Sequence, residues 1–152
     1  AYEISSRDWS SDVCSSDLMT PVFYDWLHVT EGEVDGEALY FSMAVAKDGD
    51  VFSARHDAPA GYAGIVAGYD DSANYSAWLV DAAGEVWTFV SNANSALWWD
   101  MGAVPVAEQY AWTLDGTTVT VNGVEFAEMN GFTPRGGVAL YGDVVRFDEV
   151  GP

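Results

Sequence analysis

Short apolar segments rich in aromatic and β-branched residues recur along most of the chain, and this pattern restricts the possible folds more than any other feature. Segments such as YAGIVAGY, YSAWLVD, EVWTFVS and TTVTV are bounded by glycine-containing turns. Asn-Gly and Asp-Gly pairs accept the positive φ angles of tight hairpin turns, so the pattern indicates strand, turn and strand in succession. Six dipeptides are predicted to form turns: Asp35-Gly36, Asp48-Gly49, Ala83-Gly84, Asp115-Gly116, Asn122-Gly123 and Gly142-Asp143.

The spacing of these segments is typical of an antiparallel β-sandwich. Helical periodicity is confined to AVPVAEQYAW, where Pro105 argues against a helix. The longest irregular stretches are expected at Ser53–Gly61 and Ser91–Gly102. Both are candidate functional loops, because rigid sheets commonly present their chemistry on loops.

The chain is strongly acidic. It has 24 Asp and Glu against five Lys and Arg among 152 residues, a formal net charge of −19. Nucleic acids and anionic membranes attract basic clusters, so neither is expected as a partner. A hydrophobic content of 49% excludes a disordered chain. With Lys47 as the single lysine, the composition also fits a halophilic protein kept soluble by self-repulsion.

Residues 1–18, AYEISSRDWSSDVCSSDL, lack apolar periodicity and contain the single cysteine, Cys14. Back-translated, RDWSSDVCSSDL resembles the index-read adapter of short-read DNA sequencing, and AYEI resembles the segment upstream of it. We therefore expect residues 1–18 to be a non-native, disordered tail on a metagenomic sequence and residues 19–152 to form the domain. Without the prefix there is no cysteine, which excludes disulfides and thiolate metal sites from that domain.

Three segments between about residues 63 and 150 resemble, in order and spacing, the concanavalin A-like lectin and glucanase superfamily, including its laminin-G-like members. They are AGIVAGYDDSANYSAWLV, the hairpin YAWTLDGTTVTVNGVEF and the closing strands GGVALYGDVVRFDEV. The opening YDWLHVTEGEVDGEALYFSMAVA also resembles the start of secreted DOMON-like modules. The resemblance implies an all-β fold, a single antiparallel β-sandwich of jelly-roll type.

The same resemblance implies a non-catalytic, lectin-like module that binds a polysaccharide or glycan outside the cell or at its surface, as part of a larger secreted protein. Two other functions stay open at this point. One is a structural or adhesive module stabilised by calcium. The other is a small glycoside hydrolase.

Adjacent tryptophans distinguish one segment from the others. Neighbouring residues on an extended chain face opposite ways, so Trp98 and Trp99 cannot both enter one core. An exposed indole stacks on the apolar face of a sugar ring, although the segment could instead fold back to cover the core. Trp26, Trp78, Trp87 and Trp112 are expected in the core. The predicted ligand-binding residues are Asp70, Asp71, Asn74, Asn92, Asn94, Trp98, Trp99 and Asp100.

The segment GEVDGE is the candidate for catalysis. Glu33, Asp35 and Glu37 have the E-x-D-x-E spacing of jelly-roll glucanases, and the period of a strand places the three carboxylates on one face. A retaining glycosidase needs two carboxyl groups about 5–5.5 Å apart. The alternative is a hairpin turn at Asp35-Gly36, flanked by solvated acids.

Calcium is the candidate cofactor. The acidic pairs Asp70-Asp71 and Asp148-Glu149 offer oxygen ligands, and many jelly-rolls of the resembling superfamily hold a structural calcium near their terminal strands. Asp25 and Asp148 are the predicted ligands if the termini pair. His28 and His56 are isolated and form neither a zinc site nor a catalytic triad.

Overall fold

The structure is a computed structural model that describes residues 19–23, 26–30, 32–47, 49–93 and 95–152. These residues form strands and connecting turns without an α-helix, and none of their elements is a helix able to cross a membrane. The prediction for residues 1–18 lies outside them. The strands are β1 (Met19–Phe23), β2 (Trp26–Thr30), β3 (Glu33–Ala46), β4 (Val51–Asp57), β5 (Tyr62–Asp71), β6 (Asn74–Val80), β7 (Glu85–Asn92), β8 (Ser95–Ala103), β9 (Gln109–Asp115), β10 (Thr118–Val121), β11 (Val124–Ala127) and β12 (Pro134–Gly151).

All strand pairs are antiparallel, and the two longest strands, β3 and β12, pass through both halves of the sandwich. The front half contains β1, the second part of β3, the first part of β12, and then β5, β6, β7 and β8. The back half contains β2, the remaining parts of β3 and β12, and then β4, β9, β10 and β11. The predicted antiparallel sandwich is confirmed.

Apolar side chains alternate with polar ones and fill the space between the halves. The largest buried residues come from both: Ile65, Trp78 and Leu140 from the front, and Phe52, Trp112 and Phe147 from the back. Trp78 and Trp112 are therefore core residues, as predicted. The Trp26 side chain lies outside the described part of the structure.

Two of the six turn predictions are wrong. Asp35-Gly36 lies inside β3, where Gly36 leaves room for Leu27 and Leu140; a Cβ there would meet their methyl groups at 3.0 and 3.2 Å. Gly142-Asp143 lies inside β12 at a register shift, and Gly142 has a φ of 63°, as a glycine at a β-bulge often does.

The hairpin predictions at Ala83-Gly84, Asp115-Gly116 and Asn122-Gly123 are confirmed, whereas Asp48 lies outside the described residues. The stretch predicted to be irregular from Ser53 to Gly61 is wrong in its first part, because β4 continues to Asp57.

The imidazole of His56 is buried in the back half, with 2% of the residue's surface exposed. Trp112 donates its indole N–H to His56 Nε2 at 2.9 Å, so Nδ1 carries the proton and donates to the Asp57 carbonyl at 2.7 Å. The imidazole also packs edge-on against Phe147, with ring centroids 5.4 Å apart. This histidine is a structural part of the core in its neutral form.

We expect the free energy of unfolding to fall as pH drops below about 6.5. Burial lowers the pKa of His56 from its ordinary value of 6.5, against the opposing effects of the Asp57 carbonyl and nearby carboxylates. Below the unfolded pKa the unfolded chain gains a proton that folded His56 resists. The contribution of neutral His56 to the free energy of unfolding is therefore fully present above that pH. As the pH falls toward the pKa of folded His56, the free energy of unfolding decreases by up to about 1.4 kcal/mol per pH unit.

Urea unfolding at pH 7, 6 and 5 measures this dependence in the natural chain and in His56→Gln. Glutamine does not titrate, so the difference between the two slopes isolates His56 from the many carboxylates. Equal slopes in the two proteins would show that His56 takes up its proton in both states alike.

Candidate functional site

Trp98 and Trp99 are adjacent in β8 but lie on opposite faces of the sheet, as predicted for an extended segment. Trp98 pairs with Phe89 of β7, and Trp99 pairs with Thr88. Trp98 is half-buried, whereas 54% of Trp99 is exposed. The prediction of an irregular loop over residues 91–102 is wrong, because most of this stretch forms β8, at the edge of the front half.

Four aromatic side chains line a depression of about 300 Å³ on the outer face of the front half: Tyr62, Trp87, Trp98 and Tyr141. We call it the aromatic depression. The Trp98 ring centroid lies 5.0 Å from that of Tyr62, 5.4 Å from Tyr141 and 6.4 Å from Trp87. Its plane is nearly perpendicular to those of Trp87 and Tyr141, at 85° and 86°. Faces and edges of aromatic rings therefore both line the depression.

Further aromatic side chains continue from Trp98 across the same face of the front half. Phe89 contacts it with centroids 4.9 Å apart, and Phe41 lies 4.7 Å from Phe89. Phe41 in turn stacks on Tyr75 at an interplanar angle of 7°. Burial raises the pKa of Tyr75 to about 12, so its hydroxyl stays neutral at ordinary pH. Packed rings on three strands thus hold the Trp98 indole in place.

Carboxylates lie close to the aromatic depression. Asp81 Oδ2 accepts the Trp87 indole N–H at 3.2 Å. Asp100 is opposite Trp87 in the β7–β8 register and two residues beyond Trp98, so it belongs to the same face. Asp143 Oδ2 accepts the Gly61 N–H at 2.9 Å, but this carboxylate lies near His56 and lines a different depression, with Glu37 and Leu39.

The predicted ligand residues of the β5–β6 turn are not at this depression. Asp71 Oδ1 accepts hydrogen bonds from Ala73 N at 2.8 Å and Asn74 Nδ2 at 2.9 Å, and these lower the pKa of the carboxyl. Asp70 Oδ1 accepts the Thr133 N–H. These groups stabilise the turn, at the opposite end of β5 from Tyr62.

A second predicted set lies near that turn. Asn74 Oδ1 accepts the Ala93 N–H at 3.0 Å and so joins the β5–β6 turn to the β7–β8 turn, beside Asn92. Asn94 lies outside the described residues. Of the predicted ligand residues that the structure describes, only Trp98 lines the depression, and Asp100 shares its face of the sheet.

The three acids of GEVDGE share one face of β3, as their spacing predicts, and that face is the outer surface of the back half. Glu33 forms an ion pair with Arg146 at 2.7 Å. The aromatic depression is on the outer surface of the front half, so the core separates the acids from it. Their proposed catalytic role stays a prediction.

The calcium prediction also stays a prediction. Asp148 accepts a hydrogen bond from Arg55 Nε at 3.2 Å, and Arg55 Nη2 contacts Glu149 at 3.1 Å. Asp25 is outside the described residues, and within the described ranges no group of three or more His, Cys, Asp or Glu is placed to hold a metal ion.

Sequence reasoning missed Tyr62 and Tyr141 and assigned Trp87 to the core, although Trp87 is only half-buried and lines the depression. The tyrosines pair directly across the β5–β12 ladder, 6.0 Å apart between ring centroids. The sequence does contain one signal for these two tyrosines, because each adjoins a glycine at a strand end or bulge. It does not reveal that two residues so distant in sequence are neighbours.

No protein-family model and no curated protein matches the chain. Among solved structures, it resembles the carbohydrate binding module CBM66 from Bacillus subtilis, with a TM-score of 0.65 and 16% identity over 88% of this chain and 93% of that one. Two alginate lyases, AlyC3 and A1-II′ of polysaccharide lyase family 7, give TM-scores of 0.32 and 0.34 at 11% identity, covering 86% of this chain and 71% and 74% of theirs.

The first likeness extends over nearly the whole of both chains, and at this level of identity it shows the fold. Together with the strand order, it establishes an all-β, antiparallel sandwich of jelly-roll type.

Proposed function

We propose that this domain is a non-catalytic carbohydrate-binding module whose site is the aromatic depression. The observation that carries the proposal is the convergence of four aromatic side chains from β5, β7, β8 and β12 on one open surface site. The likeness in fold to a carbohydrate-binding module supports it. We propose further that the domain works outside the cell or at its surface, within a larger secreted protein.

The chemistry of the depression suits a sugar ring. Aromatic faces stack on the apolar C–H faces of sugars, and polar groups at the edge of a site form hydrogen bonds with the sugar hydroxyls. Tyr62 and Tyr141 bring hydroxyls to the depression, and Trp98 brings an indole N–H donor. Asp100 adds an acceptor on the same face.

We expect Trp98→Ala to weaken binding to a recognised polysaccharide at least tenfold and Trp99→Ala to leave it within twofold. Stacking on an aromatic ring contributes about 0.5–1.5 kcal/mol beyond the area it buries, and about 1.4 kcal/mol is a factor of ten in affinity. Trp99 is the matched control, since it is the adjacent residue of the same type on the opposite face of β8. Affinity electrophoresis against a polysaccharide panel, followed by titration calorimetry, measures both effects.

Because Trp98 also packs on Phe89, each variant is melted first, and Trp98→Phe is included as a variant that keeps a ring. A protein that folds and loses binding in Trp98→Ala supports the proposal. Equal binding by the Trp98→Ala and natural chains would place recognition elsewhere. No binding by the natural chain to any polysaccharide would instead favour the structural or adhesive function.

A further inference from the structure

Two carboxylates lie beside residues that line the aromatic depression. Asp81 is held against Trp87 by the indole hydrogen bond, and Asp100 shares a face with Trp98. Asp81 also accepts N–H groups from Ala83 and Glu85. Two carboxylates, one on the β6–β7 turn and one on β8, thus lie next to one small aromatic site.

The cationic side chains of the described residues lie away from the aromatic depression. Arg55 and Arg146 form ion pairs on the back half. Lys47 and Arg135 line a separate depression at the other end of β5, where Arg135 lies 5.6 Å from the ring centroid of Tyr69. Seven residues of strand separate Tyr69 from Tyr62, a distance of about 23 Å. None of the four lines the aromatic depression.

We infer that the aromatic depression selects neutral sugars and rejects sugars that carry a carboxylate or sulfate. This inference rests on the proposed function and names its ligand class. A neutral ring stacks on Trp98 and can donate its hydroxyls to the two carboxylates, which are good acceptors. An anionic ring placed there meets like charges without a counter-charge, and like-charge contacts are an effective means of rejecting a ligand.

The test presents each polysaccharide of the panel to the full chain twice: in its neutral form, and after oxidation of C6 to a carboxylate. The two forms share a backbone and differ in charge. We expect oxidation to reduce affinity at least tenfold at low ionic strength. The difference should shrink in 1 M salt, where the screening length falls to about 3 Å.

Asp100→Asn tests whether the charge beside the depression, rather than the net charge of −19 on the whole chain, causes the discrimination against the oxidised form. Asparagine keeps an oxygen for the Gly102 N–H that Asp100 accepts at 3.0 Å, so this local hydrogen bond within β8 is preserved. Asp115→Asn, at the exposed end of β9 in the back half, changes the net charge equally and is the matched control. We expect Asp100→Asn, and not Asp115→Asn, to reduce the discrimination against the oxidised form about threefold or more.

The outcomes distinguish the inference from the function on which it rests. Binding that depends on Trp98 but is equal for neutral and oxidised forms would overturn the selectivity and leave the carbohydrate function standing. Equal effects of Asp100→Asn and Asp115→Asn would attribute the selectivity to net charge and also overturn the inference. Absence of binding to every neutral and oxidised polymer would overturn both.

Discussion

Replacing Gly64 by alanine is expected to lower the free energy of unfolding by more than about 3 kcal/mol, a large effect for one methyl group. Gly64 lies in the middle of β5, between Leu79 of β6 and Ala139 of β12. A Cβ at this position would lie 1.8 Å from the Trp78 carbonyl oxygen and 2.8 Å from Leu79 Cα. These are backbone atoms of a paired strand, so they cannot rotate away as a side chain would.

Relief of that contact requires β5 and β6 to separate at the centre of the front half. β5 also carries Tyr62, which lines the aromatic depression, so Gly64→Ala is expected to lose ligand binding together with stability. Urea unfolding measures the effect.

Gly116→Ala is the control, because a Cβ there meets nothing within 4 Å and only its φ of 63° is unfavourable, at about 1 kcal/mol. Similar losses in the two variants would contradict the predicted contact.

Removing the carboxylate of Glu128 is expected to lower the free energy of unfolding by about 3 kcal/mol or more in Glu128→Ala, and by about 2 kcal/mol in Glu128→Gln. Glu128 has 6% of its surface exposed and follows β11 at the end of the sandwich. Its Oε1 accepts hydrogen bonds from Ser76 Oγ and Trp78 Nε1, both at 2.7 Å. Its Oε2 accepts from Asn130 N at 2.9 Å and Nδ2 at 2.8 Å.

The order of the two variants follows from counting acceptors. A carboxylate accepts on both oxygens, whereas glutamine accepts on one and turns an N–H₂ group toward donors on the other side. Alanine leaves the buried Trp78 N–H without an acceptor and adds a cavity.

Thermal and urea unfolding rank these variants against Glu125→Gln, an exposed glutamate of β11 expected to change stability by less than about 0.5 kcal/mol. Equal stability of Glu128→Gln and the natural chain would mean that water satisfies these donors.

The candidate site was predictable only in part. The opposite orientations of Trp98 and Trp99 follow from the alternation of side chains along any strand, and the structure confirms them. The partners of Trp98 were not predictable, because Tyr62 and Tyr141 are brought to it by the pairing of β5 with β12. Trp87 was assigned to the core because it lies in a strand whose apolar and polar residues alternate. That alternation is the same whether Trp87 faces the core or the outer surface of the sheet.

The errors in the fold have the same origin. Asp35-Gly36 has the chemistry of a hairpin turn, but β12 pairs with β3 from Gly137↔Val45 to Asp148↔Glu33 and keeps this segment extended. Gly36 is needed for close packing against Leu27 and Leu140 rather than for a turn. Gly142 provides a bulge in β12 instead of ending the strand.

The sequence by itself determined what depends on neighbours along the chain: the all-β class, the alternation of core and surface positions, and the hairpins at Ala83-Gly84, Asp115-Gly116 and Asn122-Gly123. These follow from backbone sterics and from the period of two in a strand. Only the tertiary structure decided which strands pair, which glycines bend a continuing strand, and which aromatic rings meet at Trp98. Those outcomes depend on packing between residues distant in sequence, and a local pattern carries no record of that packing.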